Sequence, residues 1–332
     1  MTTRTHHTDL AVTATGLVKQ FGEARAVDGI DLEVRRGEIF GVLGPNGAGK
    51  TTTLSMLATL LRIDGGEARI FGYDPATQPH QVRQLIGVTG QYASVDENLT
   101  ANENLWLFGR LLGLGSWTAR ERAATLIAQF GLEEAADRQI ATFSGGMRRR
   151  LDLAASLIRR PPLIFLDEPT TGLDPRTRGQ MWETIRSLVA DGSTVLLTTQ
   201  YLDEADQLAD RVAVIDRGRK VAEGTPDELK SSVGASTLQL RLSDPQRLAD
   251  AAQVLERVLH AEPVPTPEAG GLNVALVAAD QAAEALIALR ESRVSIASVS
   301  VAKPSLDEVF LALTGHDTHD TDTPDDELEM AR

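Results

Sequence analysis

The eight residues Gly44-Pro45-Asn46-Gly47-Ala48-Gly49-Lys50-Thr51 match G-x-x-x-x-G-K-[ST], a spacing suited to holding a polyphosphate. Gly44, Gly47 and Gly49 let the main chain approach phosphate oxygens and aim successive N–H groups at them. Lys50 is placed to reach the β and γ phosphates, Thr51 to offer a hydroxyl to Mg²⁺, and Thr52 to continue the helix start against the same ligand. A second chemical pair, Asp167 and Glu168, closes the run Leu163-Ile164-Phe165-Leu166-Asp167-Glu168. Beside a bound polyphosphate these carboxylates divide the work: Asp167 holds the Mg²⁺ shell, and Glu168 orients or deprotonates an attacking water. Between the two sets lies Phe143-Ser144-Gly145-Gly146-Met147. There Ser144 is a good N-cap, and the N–H groups of Gly145 and Gly146 can face an anion.

Three elements must position these residues. The apolar run Ile39 to Leu43 predicts a buried strand feeding the glycine loop, with a helix starting near Lys50 whose positive dipole end meets the phosphates. Leu163 to Glu168, bounded by Pro161-Pro162 and Pro169, predicts a central strand with acids at its carboxyl end, the end that lies beside such a loop in a parallel sheet. The residues after Ser144 have helical apolar spacing, and the following run Arg148-Arg149-Arg150 reads as a solvated helix face. Trp106, Trp117 and Trp182 are scattered and receive no role.

At 332 residues with 42% hydrophobic content, the chain predicts two domains. It has no cysteine and only six histidines, none in ligand-spaced clusters, which excludes disulfides and thiolate metal sites. A reducing, cytosolic setting fits. No run of 18 apolar residues occurs, and residues 1–9 read as a polar, flexible N-terminus without a signal peptide's apolar core. A net charge of −14 speaks against a general nucleic-acid binder, so no nucleic-acid partner is expected. Residues 316–332, with seven acids against Arg332, read as an acidic disordered tail.

Taken in order, these motifs resemble the nucleotide-binding domain of ABC ATPases, over about Leu10 to Leu229. The resemblance implies an α/β fold, a P-loop ABC-type ATPase domain with a helical subdomain, using ATP and Mg²⁺. It implies that Phe21 stacks on adenine and that Gln91, in Val88-Thr89-Gly90-Gln91-Tyr92, is the Q-loop residue sensing Mg²⁺ and touching a membrane partner. Ser144-Gly145-Gly146 is similar to the family signature that meets ATP on the opposite subunit, and Gly172-Leu173-Asp174 to the D-loop of the dimer seam. An ATP-dependent head-to-tail homodimer with two composite sites follows from the resemblance. Phe143 and Met147 depart from the usual signature flanks, and Gln200, in Thr198-Thr199-Gln200-Tyr201, stands where the family generally has histidine.

The ATPase domain is expected over 10–230, a linker over 231–236, and a small α+β C-terminal accessory domain over 237–315. Alternation in Thr237 to Leu242, helical spacing in Pro245 to Leu259 and Ala279 to Arg290, paired runs Glu262 to Pro267 and Leu272 to Val277, and a last run Val294 to Val301 predict β-α-β-β-α-β. Pro263, Pro265 and Pro267 weaken the second strand. Ser305, Glu308 and Gly315 bound a final helix as capping box and stop. This ending, with Ser-Gly-Gly-Met-Arg-Arg-Arg and Tyr-Leu-Asp-Glu-Ala-Asp after Gln200, resembles the daunorubicin/doxorubicin resistance ATP-binding subunit family.

That resemblance implies a peripheral subunit on the cytoplasmic face of the membrane, energising export of antibiotics or drugs, anthracycline-like, through a separate transmembrane permease subunit. Export of a lipid, pigment or other metabolite is the alternative, and a soluble mechanical ABC ATPase a more distant one. In this reading Glu168, Lys50 and Gln200 are the catalytic set, and the Gln200 amide donates to the γ phosphate without titrating as imidazole does. The pH-rate profile of hydrolysis is therefore expected to lack an imidazole limb; a limb near about pH 6.5 that Gln200→Ala removes would contradict this.

Overall fold

The computed structural model describes residues 9–90, 95–233, 236–266, 269–278, 280–302 and 304–315. The expected flexible start (1–8 of it), the expected acidic tail and Gln91 lie outside them. The chain divides into two units at Thr225/Pro226.

The first unit opens with β1 (Leu10–Phe21), β2 (Ala24–Arg35) and β3 (Ile39–Leu43), followed by α1 (Lys50–Leu57). Then come β4 (Gly65–Ile70), α2 (Pro79–Leu85), β5 (Ile86–Thr89), α3 (Ala101–Leu111), α4 (Ser116–Gln129) and α5 (Gly145–Ser156). It closes with β6 (Leu163–Asp167), α6 (Pro175–Ala190), β7 (Thr194–Thr199), α7 (Leu202–Leu208), β8 (Arg211–Asp216) and β9 (Arg219–Gly224). One sheet is ordered β2-β1-β4 and antiparallel; the other is ordered β5-β6-β7-β3-β8-β9, parallel except for β9.

Every residue of β3, β6 and β7 is buried. This explains why their sequences are near-continuous apolar runs: a parallel strand covered on both faces has no solvent side to mark by alternation. One core packs α1 and the first sheet on the central strands through Leu17, Ile30, Phe40, Met56 and Phe165. The other packs α3 to α6 on their opposite side through Leu105, Leu126, Leu151, Ile164 and Ile185. Between β8 and β9, Arg217 and Gly218 both have positive φ, 46° and 77°, the geometry of a two-residue hairpin turn.

The second unit runs α8 (Pro226–Val233), β10 (Ser236–Leu242), α9 (Leu248–Leu259), β11 (Val264–Pro265), β12 (Gly271–Leu276), α10 (Gln281–Glu291), β13 (Ile296–Ala302) and α11 (Leu306–Thr314). Its sheet is antiparallel, ordered β11-β12-β10-β13, the arrangement of a split β-α-β fold. Two expectations are corrected. Residues 231–233 continue α8 rather than form a linker: Pro226 starts the helix, Asp227 and Glu228 favour its first turn, and Leu229 is buried as α8 packs on α11. The run Glu262 to Pro267 yields only the two-residue β11, because a proline ring removes the N–H that a ladder needs. Ser305 caps α11 by accepting from Glu308 N at 3.2 Å, and Gly315 ends it in left-handed conformation at φ 75°.

The core of this unit joins Leu238, Leu240 and Leu242 of β10 to Leu255 of α9 and Leu289 of α10. Leu255 is wholly buried, so Leu255→Ala is expected to cost about 2–5 kcal/mol through lost transfer energy and a cavity. Faster hydrogen exchange of the β10 and β12 amides would register the loss; unchanged protection would refute it.

Candidate functional site

The glycine loop joins β3 to α1 under tight constraint. A Cβ on Gly44 would lie 2.2 Å from the Ile215 carbonyl oxygen, and Gly49 combines φ 99° with a prospective Cβ contact of 2.4 Å to the Ala26 carbonyl oxygen. Only glycine fits both places. Gly47 has φ 75° and, like Asn46, is exposed at the loop tip, while Pro45 and Ala48 are buried. The first turn of α1 has neither a side-chain cap nor an acidic residue, so its N–H groups and positive dipole end remain available to an anion. Thr52 lies in this turn, half-buried.

Lys50 is buried, with Nζ donating to the carbonyls of Gly44 at 2.9 Å and Pro45 at 3.0 Å, and it lies 3.5 Å from Glu168 Oε1. Burial holds its ammonium below the ordinary 10.5, against the opposing pull of the Glu168 and Asp167 carboxylates. Asp167 ends β6, directly opposite Thr198 of β7. Its Oδ1 accepts from Thr198 Oγ1 at 2.5 Å and from Thr51 Oγ1 at 3.0 Å. Thr51 and Asp167 thus form a hard-oxygen pair of the kind Mg²⁺ takes alongside substrate phosphates and water. Among the described residues, no group of three or more His, Asp or Glu gathers to cage a metal alone.

Glu168 has φ 47°, a left-handed conformation costing a non-glycine residue about 1–3 kcal/mol. Its surroundings hold it there. Its N–H is shared between Thr198 O and Oγ1, each at 3.1 Å, and Thr171 Oγ1 donates to Oε2 at 3.1 Å. The carboxylate is fixed at the mouth of the loop, close to Lys50.

The remaining site residues are distributed around this centre. Gln200 follows β7 and is half-buried; the preceding Thr199 carbonyl accepts from Gly44 N at 3.3 Å, which seats Gln200 beside the loop. Phe21 ends β1, 43% exposed, with Lys19 Nζ 5.3 Å from its ring centroid. Ser144 caps α5 by accepting from Met147 N at 3.3 Å, and a Cβ on Gly145 would meet nothing within 4 Å. Among the described residues, no hydrogen bond or ion pair joins Ser144, Gly145 or Gly146 to the Lys50 cluster of the same chain. Gly172 has φ 76°, Leu173 packs on the helical core, and Asp174 caps α6 through Thr177 N at 3.0 Å. Two Thr177 bonds hold its carboxyl below the ordinary range.

Sequence reasoning missed three residues. Thr198 bridges the acids, but its register opposite Asp167 is a property of the sheet. Arg149 is not on a solvated face: it donates to the carbonyls of Gly90, Asp167, Glu168 and Pro169 at 2.6 to 3.2 Å. Arg148 pairs with Glu97, and Arg150 donates to Phe130 O. Glu204 is fully buried, its Oε1 accepting from Thr170 Oγ1 at 2.8 Å and from Trp182 Nε1 at 3.1 Å, while Oε2 has no partner.

Strands converging on a glycine loop, a buried lysine and an acid pair define a P-loop nucleotide-binding unit. Comparison with known proteins agrees. A family model described as ABC transporter matches residues 27–171, and one described as ATP-binding protein DrrA1-3-like, C-terminal domain, matches 224–314. The daunorubicin/doxorubicin resistance ATP-binding protein DrrA of Streptomyces peucetius is 56% identical over 317 residues, covering 94% of this chain and 95% of the relative. The daunorubicin resistance ATP-binding protein DrrA2 of Streptomyces coeruleorubidus is 50% identical, covering 94% and 97%. A solved dimeric ATP-binding cassette in a post-hydrolysis state, bound to ADP and Pi, is similar with TM-score 0.59 at 26% identity, covering 64% of this chain and 98% of that one. The chain belongs to the ABC transporter ATP-binding proteins of the daunorubicin/doxorubicin resistance family.

Burial holds the Glu204 carboxyl above its ordinary 4.5 despite the bonds from Thr170 and Trp182. The folded state therefore keeps a proton that the unfolded chain releases, so this contribution to stability is full below 4.5 and is lost as pH rises toward the raised folded value. Glu204→Gln keeps an accepting oxygen and removes the titration. Thermal melts from about pH 5 to about pH 8 should show the variant losing less stability than wild type; parallel curves would refute the assignment.

Proposed function

We propose that this chain is the ATP-hydrolysing subunit that energises a separate membrane permease for export of antibiotics or drugs of anthracycline-like kind. One observation carries the ATPase half: beyond the carboxyl ends of β3 and β6, two parallel strands that flank β7, Lys50 lies 3.5 Å from Glu168 and Thr51 donates to Asp167 at 3.0 Å. The names of the relatives that match nearly the whole chain support the export half.

In this reading the loop N–H groups and the α1 N-terminus bind the phosphates, Lys50 draws charge from the β and γ oxygens, and Phe21 stacks on adenine. Thr51, Asp167 and Gln91 would hold Mg²⁺, which when bound neutralises charge on the phosphates. Glu168 orients a water for attack on the γ phosphorus. The new P–O bond forms as the β–γ bridge bond breaks, the bridging electron pair leaves with ADP, and the water proton passes to Glu168. Gln200 donates a hydrogen bond to the γ phosphate. The open helix start at Ser144-Gly145-Gly146 covers ATP held by a second, head-to-tail copy, with Gly172-Leu173-Asp174 along the seam. This use of the signature is consistent with its having no bond to the Lys50 cluster of its own chain.

Among the described residues, no helix is long and apolar enough to cross a membrane, so in this reading the permease supplies the path and this subunit sits peripherally on the cytoplasmic face. Cells co-expressing the chain with its permease should accumulate less anthracycline than cells carrying Glu168→Gln, while the variant still binds ATP. Equal accumulation, with both assemblies present and the wild type hydrolysing ATP, would refute anthracycline export.

A further inference from the structure

The forked contact of Arg149 has no part in the chemistry above, yet it touches the one strained catalytic residue. Its Nη2 donates to Asp167 O at 2.7 Å and Glu168 O at 2.9 Å, its Nε to Pro169 O at 3.2 Å, and its Nη1 to Gly90 O at 2.6 Å. Three consecutive carbonyls on the acid-bearing segment and one at the end of the β5 segment therefore share a single guanidinium. A planar, five-donor group can do this; a lysine ammonium on its flexible stem cannot reach both segments in the same geometry.

What the fork restrains is specific. Glu168 sits at φ 47°, and its peptide groups face Thr198 on the N–H side and Arg149 on the C=O side. Remove the second restraint and the residue can relax toward the right-handed or extended regions that non-glycine residues prefer. Its carboxylate would then swing from the mouth of the loop. Arg149 also lies in the field of the Asp152, Asp167 and Glu168 carboxylates, so its charge offsets negative groups beside the site.

We infer that Arg149 is a positioning residue for hydrolysis: by clasping the Asp167, Glu168 and Pro169 carbonyls it holds Glu168 in its left-handed backbone and so aims the carboxylate at the attacking water. The clasp also ties the signature helix α5 to the catalytic segment of the same chain, since Arg149 lies less than two turns beyond Ser144. This inference rests on the ATPase reading above.

The test uses the full-length wild type, Arg149→Lys and Arg149→Gln, with Glu168→Gln as the control for the base. Steady-state hydrolysis and equilibrium ATP binding are measured on each, and rates are normalised to the number of nucleotide sites that bind. Displacing a catalytic group by about 1 Å costs on the order of 10²-fold, so both Arg149 variants should lose kcat by roughly 30- to 100-fold, with KM and ATP affinity within about threefold of wild type. Three results would overturn the inference: Arg149→Gln with wild-type kcat, Arg149→Lys restoring the full rate and so showing that charge alone suffices, or a rate loss that vanishes on normalisation and so reports only unfolded protein. A wild type that binds ATP but hydrolyses none would instead remove the ATPase reading, and this inference with it.

Discussion

Asp167 Oδ1 accepts two hydroxyls at once, Thr51 from the helix that follows the glycine loop and Thr198 from the neighbouring strand. This junction is where loop, acid pair and sheet meet, and the remaining geometry of the site depends on it. Loop and helix α1 arrive from β3, Asp167 and Glu168 from β6, and Thr198 and Gln200 from β7. These strands are adjacent and parallel, so their carboxyl ends necessarily face the same side of the sheet. The price is burial of charge: Lys50, Asp167 and Glu168 are all nearly inaccessible. Each is tolerable only because the others, the threonine hydroxyls and the loop carbonyls satisfy it.

A site built this way is stiff on one side and open on the other. Carbonyl and hydroxyl bonds fix Glu168 in a backbone conformation it would not choose alone, which is how a fold stores orientation for a reaction. The first turn of α1 carries no side-chain cap, and at α5, which Ser144 caps at Met147 N, a Cβ on Gly145 would meet nothing within 4 Å. Glu204 underlies this arrangement from below, linking Thr170 on the acid-bearing segment to Trp182 on α6.

Much of the candidate site was legible in the chain because its pattern is local. The glycine spacing around Lys50 encodes close approach and positive φ, the prolines flanking Leu163 to Glu168 bound a strand, and Ser144 announces a helix start. The second unit was legible in order but not in extent: alternation placed β10 and the paired run after Gly271 placed β12, while the expected middle strand is reduced to Val264–Pro265. Residues 231–233 read as a linker because three small or β-branched residues carry little helical signal, yet the buried Leu229 and the packing of α8 on α11 extend the helix through them.

Residue type and spacing along the chain were sufficient to mark the glycine loop, the acid pair and the capped start of α5, since each depends on contacts within a few residues. The partners of those groups were decided only by the folded chain. Thr198 matters because sheet register sets it opposite Asp167, 31 residues away in sequence. Arg149 looks like one of three solvated arginines until α5 packs against the acid-bearing segment, and Glu204 looks like a surface acid of a short helix until Trp182 and Thr170 enclose it. Hydrogen bonds between distant segments leave no local pattern, because their donors and acceptors acquire meaning only when burial removes water as the alternative partner.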